Sequence, residues 1–345
     1  MPAIQASGPP VVSVIIPARN EEMNLRACLE SVTSQACMPR EIIVVDDHSS
    51  DRTSEIARQF AGVRVLDAPE LRSDWTGKNN AVAEGAAVAT GEWLLFTDAD
   101  TVHLPGSLAA SVEEALREKA DLLSYSPEQV VETFWEKAVM PVVFAELSGT
   151  FRPEEISDPA SPAAAANGQY ILVRRDVYNA VGGHAAIGGE LLEDVALARA
   201  VKKAGRKIFF RYGGDRVRTR MYRNFDQLRE GWTKNLVLLF PSPGKLAGWR
   251  LAEFAVVMAG LVAAGFGVRR SGLLTALGIV PAALTFARLR RAHFSAGTTA
   301  LAVFGLPVFS YLLLRSQRLH DQKRVTWKGR TYPGTEVNPG PELGV

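Results

Sequence analysis

Three short runs, Val11–Pro17 (VVSVIIP), Glu41–Asp47 (EIIVVDD) and Trp93–Thr97 (WLLFT), are apolar, rich in β-branched residues, and pass directly into polar residues. Unbroken apolar runs of this length belong to strands buried on both faces, the condition of a parallel sheet covered by helices. Helical patterns stand between them. Asn20 is placed to cap a helix whose Leu25, Cys28, Leu29 and Val32 share one face, and Ser50 or Asp51 to cap another through Ile56 and Phe60. This alternation predicts an α/β fold, a parallel sheet with helices on both faces. Further strands are expected at Arg64–Asp67, Leu122–Tyr125, Tyr170–Val173 and Lys207–Arg211. Pro153–Ala166, rich in Pro, Ala and acids, is expected to be a surface loop. Phe134–Leu147 sets Phe134, Trp135, Ala138, Val139 and Val142 on one side, a pattern that suits an interfacial helix and a core helix equally.

The character of the chain changes at Trp249. Residues 1–249 carry 27 Lys and Arg against 33 Asp and Glu, a net −6, whereas residues 250–345 carry 12 against 4, a net +8. The basic part holds three apolar runs, Leu251–Val268, Gly272–Ala287 and Thr298–Leu314. The first and last approach the roughly 20 residues that span a bilayer. Basic clusters at Arg269–Arg270, Arg288–Arg291 and Arg315–Arg324 border these runs as they border membrane helices. A membrane is therefore a better partner for the charge than nucleic acid, since no aromatic-interleaved basic stripe accompanies it. Cys28 and Cys37 have neither metal-ligand spacing nor a disulfide framework, which fits a reducing compartment. The N-terminal MPAIQASGPP lacks the features of an export signal, so the first part of the chain is expected in the cytoplasm, with the apolar runs in the cell inner membrane as a multi-pass anchor.

In doubly wound sheets ligands gather at the carboxyl ends of strands. There this sequence places Pro17-Ala18-Arg19-Asn20-Glu21, Asp46-Asp47-His48-Ser49-Ser50-Asp51 and Asp98-Ala99-Asp100. One acidic strand end followed by Ser is an ordinary helix cap, but three on successive strands form a pattern. Carboxylates two apart, as in Asp98 and Asp100, gather oxygen ligands for Mg2+ or Mn2+, and such a cation neutralises a departing diphosphate. No G-x-G-x-x-G follows the first strand and no G-x-x-x-x-G-K-[ST] occurs, so dinucleotide and P-loop readings lose their main support; Gly77-Lys78 is a fragment only. Glu193-Asp194 reads by itself as the acidic first turn of a helix through Val201. His103 and His184 are more simply hydrogen-bonded loop histidines than metal ligands.

In order, VSVIIPARNEE, EIIVVDDHSSDRT, GKNNAVAEGAAVATGEWLLFTDAD, NGQYILVRR, LLEDVALARAVKKAG and QLREGWTKN resemble the family 2 glycosyltransferases of GT-A fold, over about Val11–Asn235. The resemblance implies a nucleoside pocket from Pro17, Arg19, Asn20, Glu21, Asp46 and Asp47, and a donor contact from Lys78. It further implies a metal and diphosphate site at Asp98 and Asp100, with Asp194 as catalytic base. Gln227-Leu228-Arg229-Glu230-Gly231-Trp232 resembles the Gln-x-x-Arg-Trp signature of processive members, in which Arg and Trp hold the diphosphate and the acceptor; the resemblance implies Arg229 and Trp232 near the donor site, although here they are not adjacent. That departure favours transfer of one sugar over polymer synthesis. His48 replaces the Gly usual after the paired Asp. Trp327-Lys328-Gly329-Arg330-x-Tyr332 after the apolar helices is similar to membrane-bound members that glycosylate lipids, including carotenoid- and hopanoid-associated enzymes.

The expectation is thus a flexible lead-in at 1–10, a GT-A domain at 11–240, a transmembrane helical region at 250–315 and a basic tail at 316–345. The activity expected is inverting transfer from a nucleotide-diphospho-sugar to a lipid or polyprenyl acceptor, with Mg2+ or Mn2+ as cofactor and no nucleic acid as partner. The alternatives are a processive polysaccharide synthase, a nucleotidyltransferase, which lacks its Gly-rich loop here, and a non-catalytic membrane scaffold.

Overall fold

A computed structural model describes residues 11–267 and 272–332. They form two compact units, one from residues up to Glu128 with Phe151–Arg220, the other from Gln129–Thr150 with residues from Met221 on. The lead-in at 1–10, Val268, Arg269–Arg270 and the tail beyond Tyr332 lie outside the described residues.

The first unit opens with β1 (Val12–Ala18), α1 (Leu25–Thr33), β2 (Glu41–Asp46), α2 (Thr53–Arg58), β3 (Val63–Asp67), α3 (Gly77–Val88) and β4 (Trp93–Phe96). Both faces of the sheet are buried, and the alternation along β1 shows how. Val12, Val14, Ile16 and Ala18 pack with Leu25, Cys28, Leu29 and Val32 of α1, while Ile15 packs on the other face with Ile43, Val45 and Ala81 and Val82 of α3. The chain continues through β5 (Thr101–His103), α4 (Ser107–Arg117), β6 (Leu122–Ser126) and the two-residue β7 (Glu128–Gln129). After α5 (Phe134–Thr150), which belongs to the second unit, come α6 (Pro153–Ser157), β8 (Ile171–Arg174), α7 (Arg175–Ala180), α8 (Glu193–Lys203), β9 (Ile208–Tyr212) and β10 (Val217–Thr219).

The strand order is β3-β2-β1-β4-β8-β6-β9. All neighbours are parallel except β8, which runs antiparallel to both β4 and β6, with Phe96 opposite Ile171. The sheet is mixed, which corrects the expectation of a parallel one: a strand covered on both faces reads as the same apolar run in either direction. Two further corrections concern local structure. Asn20 does not cap α1, which starts at Leu25 after Asn24. Asn20 instead sits at φ 51 and accepts a hydrogen bond from the Ser50 N–H at 2.9 Å, tying the end of β1 to the turn after β2. Pro153–Ala166 is not merely a surface loop: it contains α6, and Ile156, Ala165 and Ala166 are buried. Ser157 of α6 accepts from the Phe210 N–H at 3.0 Å and so covers the edge strand β9.

The second unit adds α9 (Phe225–Leu239), α10 (Pro243–Gly267), α11 (Gly272–Leu289), α12 (Ala296–Leu301), α13 (Gly305–Asp321) and a hairpin of β11 (Val325–Trp327) and β12 (Arg330–Tyr332). Its core includes Val139 and Val142 of α5, Trp232 and Leu236 of α9, and Phe309 and Leu312 of α13. In α5 the apolar side splits: Ala138, Val139 and Val142 are buried, whereas Phe134 and Trp135 are 50% and 40% exposed. α10 and α11 approach so closely that a Cβ on Gly278 would lie 2.2 Å from the Gly260 carbonyl oxygen. Glu146 of α5, Arg250 and Glu253 of α10 and Arg288 of α11 form one cluster, in which Arg288 bonds Glu146 at 2.5 Å and Glu253 at 2.9 Å. Among the described residues, two of the three apolar runs lie in helices long and apolar enough to cross a membrane, Pro243–Gly265 and Ala296–Asp321. The middle run forms α11, 18 residues with Pro281 inside.

Candidate active site

Each acidic strand end reaches the same edge of the first unit's sheet. Ala18 at the end of β1 is in register with Asp46 at the end of β2, and β4 ends one residue before Thr97-Asp98. Because β8 is reversed, its leading end lies beside the trailing end of β4, which brings Gly168 to that edge.

The centre is Lys78, near the start of α3. Its Nζ lies 2.7 Å from Asp98 Oδ1 and 2.6 Å from Glu193 Oε1. Burial works against its charge, yet Asp98 and Glu193 hold the ammonium well above the usual lysine range. Asp194, the next residue along α8, accepts from the Gly168 N–H through Oδ2 at 2.9 Å and from the Val195 N–H through Oδ1 at 2.8 Å. Burial and then the neighbouring Glu193 charge push the Asp194 acid up to about 6. A small pocket here is lined by Pro17, Lys78, Asp98, Gly168, His184 and Glu193 among others. Gly168 lies close under the pair: a Cβ there would stand 2.9 Å from Lys78 Nζ and 3.1 Å from Glu193 Oε1, so a side chain would push these tips aside.

The framework that brings α3 to α8 is a hydrogen-bonded clamp. Thr76 caps α3 by accepting from the Asn79 N–H at 3.1 Å, and its own N–H donates to the Gly188 carbonyl at 2.8 Å. The Asn79 side chain donates to the carbonyls of Ile187, Gly188 and Glu190 at 2.9, 2.9 and 3.0 Å. The loop leading to Glu193 and Asp194 is thereby fixed to the helix that carries Lys78.

The expected nucleoside-pocket residues have divided roles. Arg19 donates to the carbonyls of Asp47 at 2.6 Å and His48 at 3.3 Å, so its guanidinium braces the turn after β2. The Glu21 N–H donates to Thr53 Oγ1 at 2.7 Å and its carboxylate accepts from Asn24 at 2.8 Å. Asp47 is buried, with His48 Nδ1 3.6 Å from its carboxylate. Asp46 is buried, and its Oδ1 has no hydrogen-bond partner among the described residues. A buried acceptor in that condition is costly unless something supplies a donor. His48 sits at φ 55, in the left-handed region, which explains why Gly suits this position.

Asp98 and Asp100 flank Ala99 in the turn after β4, where the Asp100 carbonyl accepts from Thr219 at 3.2 Å. Beneath the turn the Cys28 thiol donates to the Asp98 carbonyl at 3.7 Å; burial, then Asp100, Glu21 and Asp98, push this thiol upward, so it stays protonated. Among the described residues no three His, Cys, Asp or Glu side chains form a metal-holding group. An all-oxygen pair of carboxylates nevertheless suits Mg2+ or Mn2+, which retain waters and take phosphate oxygens rather than needing a protein cage. The residues fit a cation that substrate oxygens complete. His103 and His184 are both buried and bonded, to Thr97 at 3.1 Å and to Tyr178 at 3.0 Å, and burial lowers each to about 4. Arg229 and Trp232 lie on α9 of the second unit, Arg229 paired with Asp226 at 2.9 Å and Trp232 buried in that unit's core. The sequence singled out Asp194 but not the carboxylate of Glu193, the spacing demanded at Gly168, or the clamp at Asn79. None has a local signature, since each acts on residues far away in the chain.

The chain is similar to known proteins. The pattern of glycosyl transferase family 2 matches residues 13–182. The 4,4'-diaponeurosporenoate glycosyltransferase of Staphylococcus aureus strain USA300 is 30% identical over 233 residues, covering 65% of this chain and 60% of that protein. Its counterpart in strain MRSA252 gives the same figures, 30% over 233 residues, 65% and 60%. The chain thus spans about 60% of the length of these relatives. Among solved structures, mannosyltransferase PcManGT of Pyrobaculum calidifontis, in complex with GDP-Man and Mn2+, superposes with TM-score 0.53 at 18% identity, over 91% of this chain and 87% of that one. With its motifs in order, its mixed sheet and this likeness, the chain has the GT-A α/β fold, and its residues 13–182 match the glycosyl transferase family 2 pattern.

Proposed function

We propose that this protein is an inverting glycosyltransferase that moves a single sugar from a nucleotide-diphospho-sugar to a lipid-like acceptor at the membrane, with Mg2+ or Mn2+. The observation that carries the reading is the meeting, at one sheet edge, of Asp98, Lys78, Glu193 and Asp194 from three distant parts of the chain. Asp98 and Asp100 would hold the cation, which when bound supplies neutralisation of the diphosphate. Asp46, with its unsatisfied buried oxygen, offers an acceptor to the nucleoside, alongside Pro17, Asn20, Glu21 and Asp47, while Arg19 keeps the turn in shape.

Asp194 is the base. An acceptor hydroxyl must lose its proton as it attacks the anomeric carbon, and a carboxylate with an acid range near 6 holds that proton better than an ordinary one while staying ionised at neutral pH. The two N–H groups on its oxygens fix its direction. Attack by the acceptor in a single displacement inverts the anomeric centre. Support for a lipid-like acceptor comes from the name of the Staphylococcus aureus relative, which points to a carotenoid-type acid, and from α10, of whose apolar stretch only 11% is buried. We place that helix and α12–α13 in the inner membrane, with the first unit on the cytoplasmic side. Arg229 and Trp232, separated by two residues, fit single transfer better than polymer synthesis.

The test is donor hydrolysis and sugar transfer by the purified protein across a panel of nucleotide sugars, with Mn2+ or Mg2+ and membrane lipid extract as acceptor. Chelation is expected to abolish turnover and re-addition of either cation to restore it. Full activity in the chelator would remove the metal assignment, and an Asp100→Ala protein that supports every function of the wild type would make the chain a scaffold.

A further inference from the structure

Lys78 is bonded to two of the site's carboxylates, and it stands beside the Asp98 oxygens that a cation would use. Its ammonium is shared between Asp98 and Glu193 at 2.7 and 2.6 Å, and the absence of a side chain at Gly168 leaves room for it. Lysine is suited to such a post because its compact charge rides on a flexible stem and can change partners, whereas a guanidinium fork fixes its geometry. We propose that Lys78 is the site's internal counter-ion: it neutralises Asp98 in the free protein and hands that carboxylate to the divalent cation only when a diphosphate arrives to receive the ammonium. This rests on the metal-dependent reading above and adds an order to it.

The electrostatics set the direction of the effect. A divalent cation arriving alone must either displace the ammonium from Asp98 or share that carboxylate with it, and in both cases lies a few ångströms from it, because Glu193 retains it; like charges at that separation repel strongly in a partly buried site. A diphosphate arriving alone meets the carboxylates of Asp98, Glu193 and Asp194 around the ammonium of Lys78. Together, cation and diphosphate cancel each other's cost, and the ammonium gains phosphate oxygens in place of Asp98. Binding of each therefore strengthens binding of the other by the same factor. The free protein would hold neither firmly, which protects a carboxylate-rich site from idle metal capture.

The experiment titrates Mn2+ into the intact protein in detergent, reading free aquo-Mn2+ by electron paramagnetic resonance, with and without UDP or GDP. In the wild type one of the two nucleotides is expected to tighten Mn2+ by about tenfold or more. Lys78→Met is expected to bind Mn2+ without nucleotide about fivefold more tightly than wild type, and to lose most of the nucleotide effect. Lys78→Arg, which keeps the charge, should stay as weak as wild type without nucleotide. A Lys78→Met protein that melts like wild type yet binds Mn2+ no better overturns the proposal. So does a wild type whose Mn2+ affinity is indifferent to both nucleotides, a measurement that needs no variant. Mn2+ failing to bind under every condition would instead remove the metal from the functional reading, and the counter-ion role with it.

Discussion

The two units each contain a cluster of charged side chains, and the clusters are built on opposite principles. In the second unit Glu146 and Glu253 meet Arg250 and Arg288, two anions with two cations, and Thr285 adds a hydroxyl to Glu253 at 2.7 Å. In the first, Asp98, Glu193 and Asp194 all feel the single ammonium of Lys78. Balance and forked arginines make the first-named cluster a fastening between three helices, with no charge left to offer a newcomer. Three carboxylates around a lysine whose charge rides on a flexible stem make the other a place that gains from an added cation. A set of ion pairs therefore speaks for function when its charges do not cancel, and for architecture when they do.

The sharpest way to break this contrast is to neutralise one carboxylate in each cluster. Asp194→Asn should keep the fold and nucleotide binding while lowering the transfer rate by about 10²–10⁴-fold, chiefly in kcat. A variant retaining near wild-type kcat would show that Asp194 is only the first turn of a helix. Glu253→Gln should do the reverse. It leaves two arginines short of a partner and lowers unfolding free energy by about 3 kcal/mol, as removing one partner of a desolvated pair does. Thermal melting in detergent reads that loss, and turnover per folded molecule should be unchanged; a collapse of turnover with an intact melting point would erase the distinction between the clusters.

Acidity sharpens the comparison further. The Asp194 acid stands near 6, above the ordinary carboxylate range, so the proton-accepting form is present above that pH and lost as pH falls through it. kcat/KM should then fall about tenfold per unit on the acid side. Glu193→Gln removes one of the charges that raises Asp194, so the midpoint of this limb should move to lower pH; a midpoint that stays or rises would contradict the assignment. The smallest effect is expected at the rim of the site. His48→Gly relieves a left-handed backbone at φ 55 and should stabilise the first unit by about 0.5 kcal/mol, visible as a slightly higher denaturant midpoint.

Much of this was legible beforehand, for definable reasons. Asp46, Asp47 and Asp98 sit at strand ends because the β-branched runs before them are long enough to be strands and too short to be helices, and the strand edge follows from the alternation. The acids of Glu193-Asp194 were visible as a helix start, and they are one. What escaped has no period to betray it. The direction of β8 leaves no trace in an apolar run. Asn20 looks like a cap until a second loop, thirty residues on, supplies Ser50 as a better partner for its side chain. The salt bridge from Lys78 to Glu193 spans 115 positions and depends on Asn79 gripping three carbonyls, none of which a sequence displays.

The reversed strand β8 has a corollary for sequence change. Asp46 and Asp98 stand at the trailing ends of β2 and β4, whereas Gly168 precedes the leading end of β8. The stretch between α6 and β8 can be rebuilt from its far side while its last residues stay anchored by the Gly168 bond to Asp194. Changes in the exposed part of that stretch, before the buried Ala165 and Ala166, therefore leave the hold on Asp194 intact.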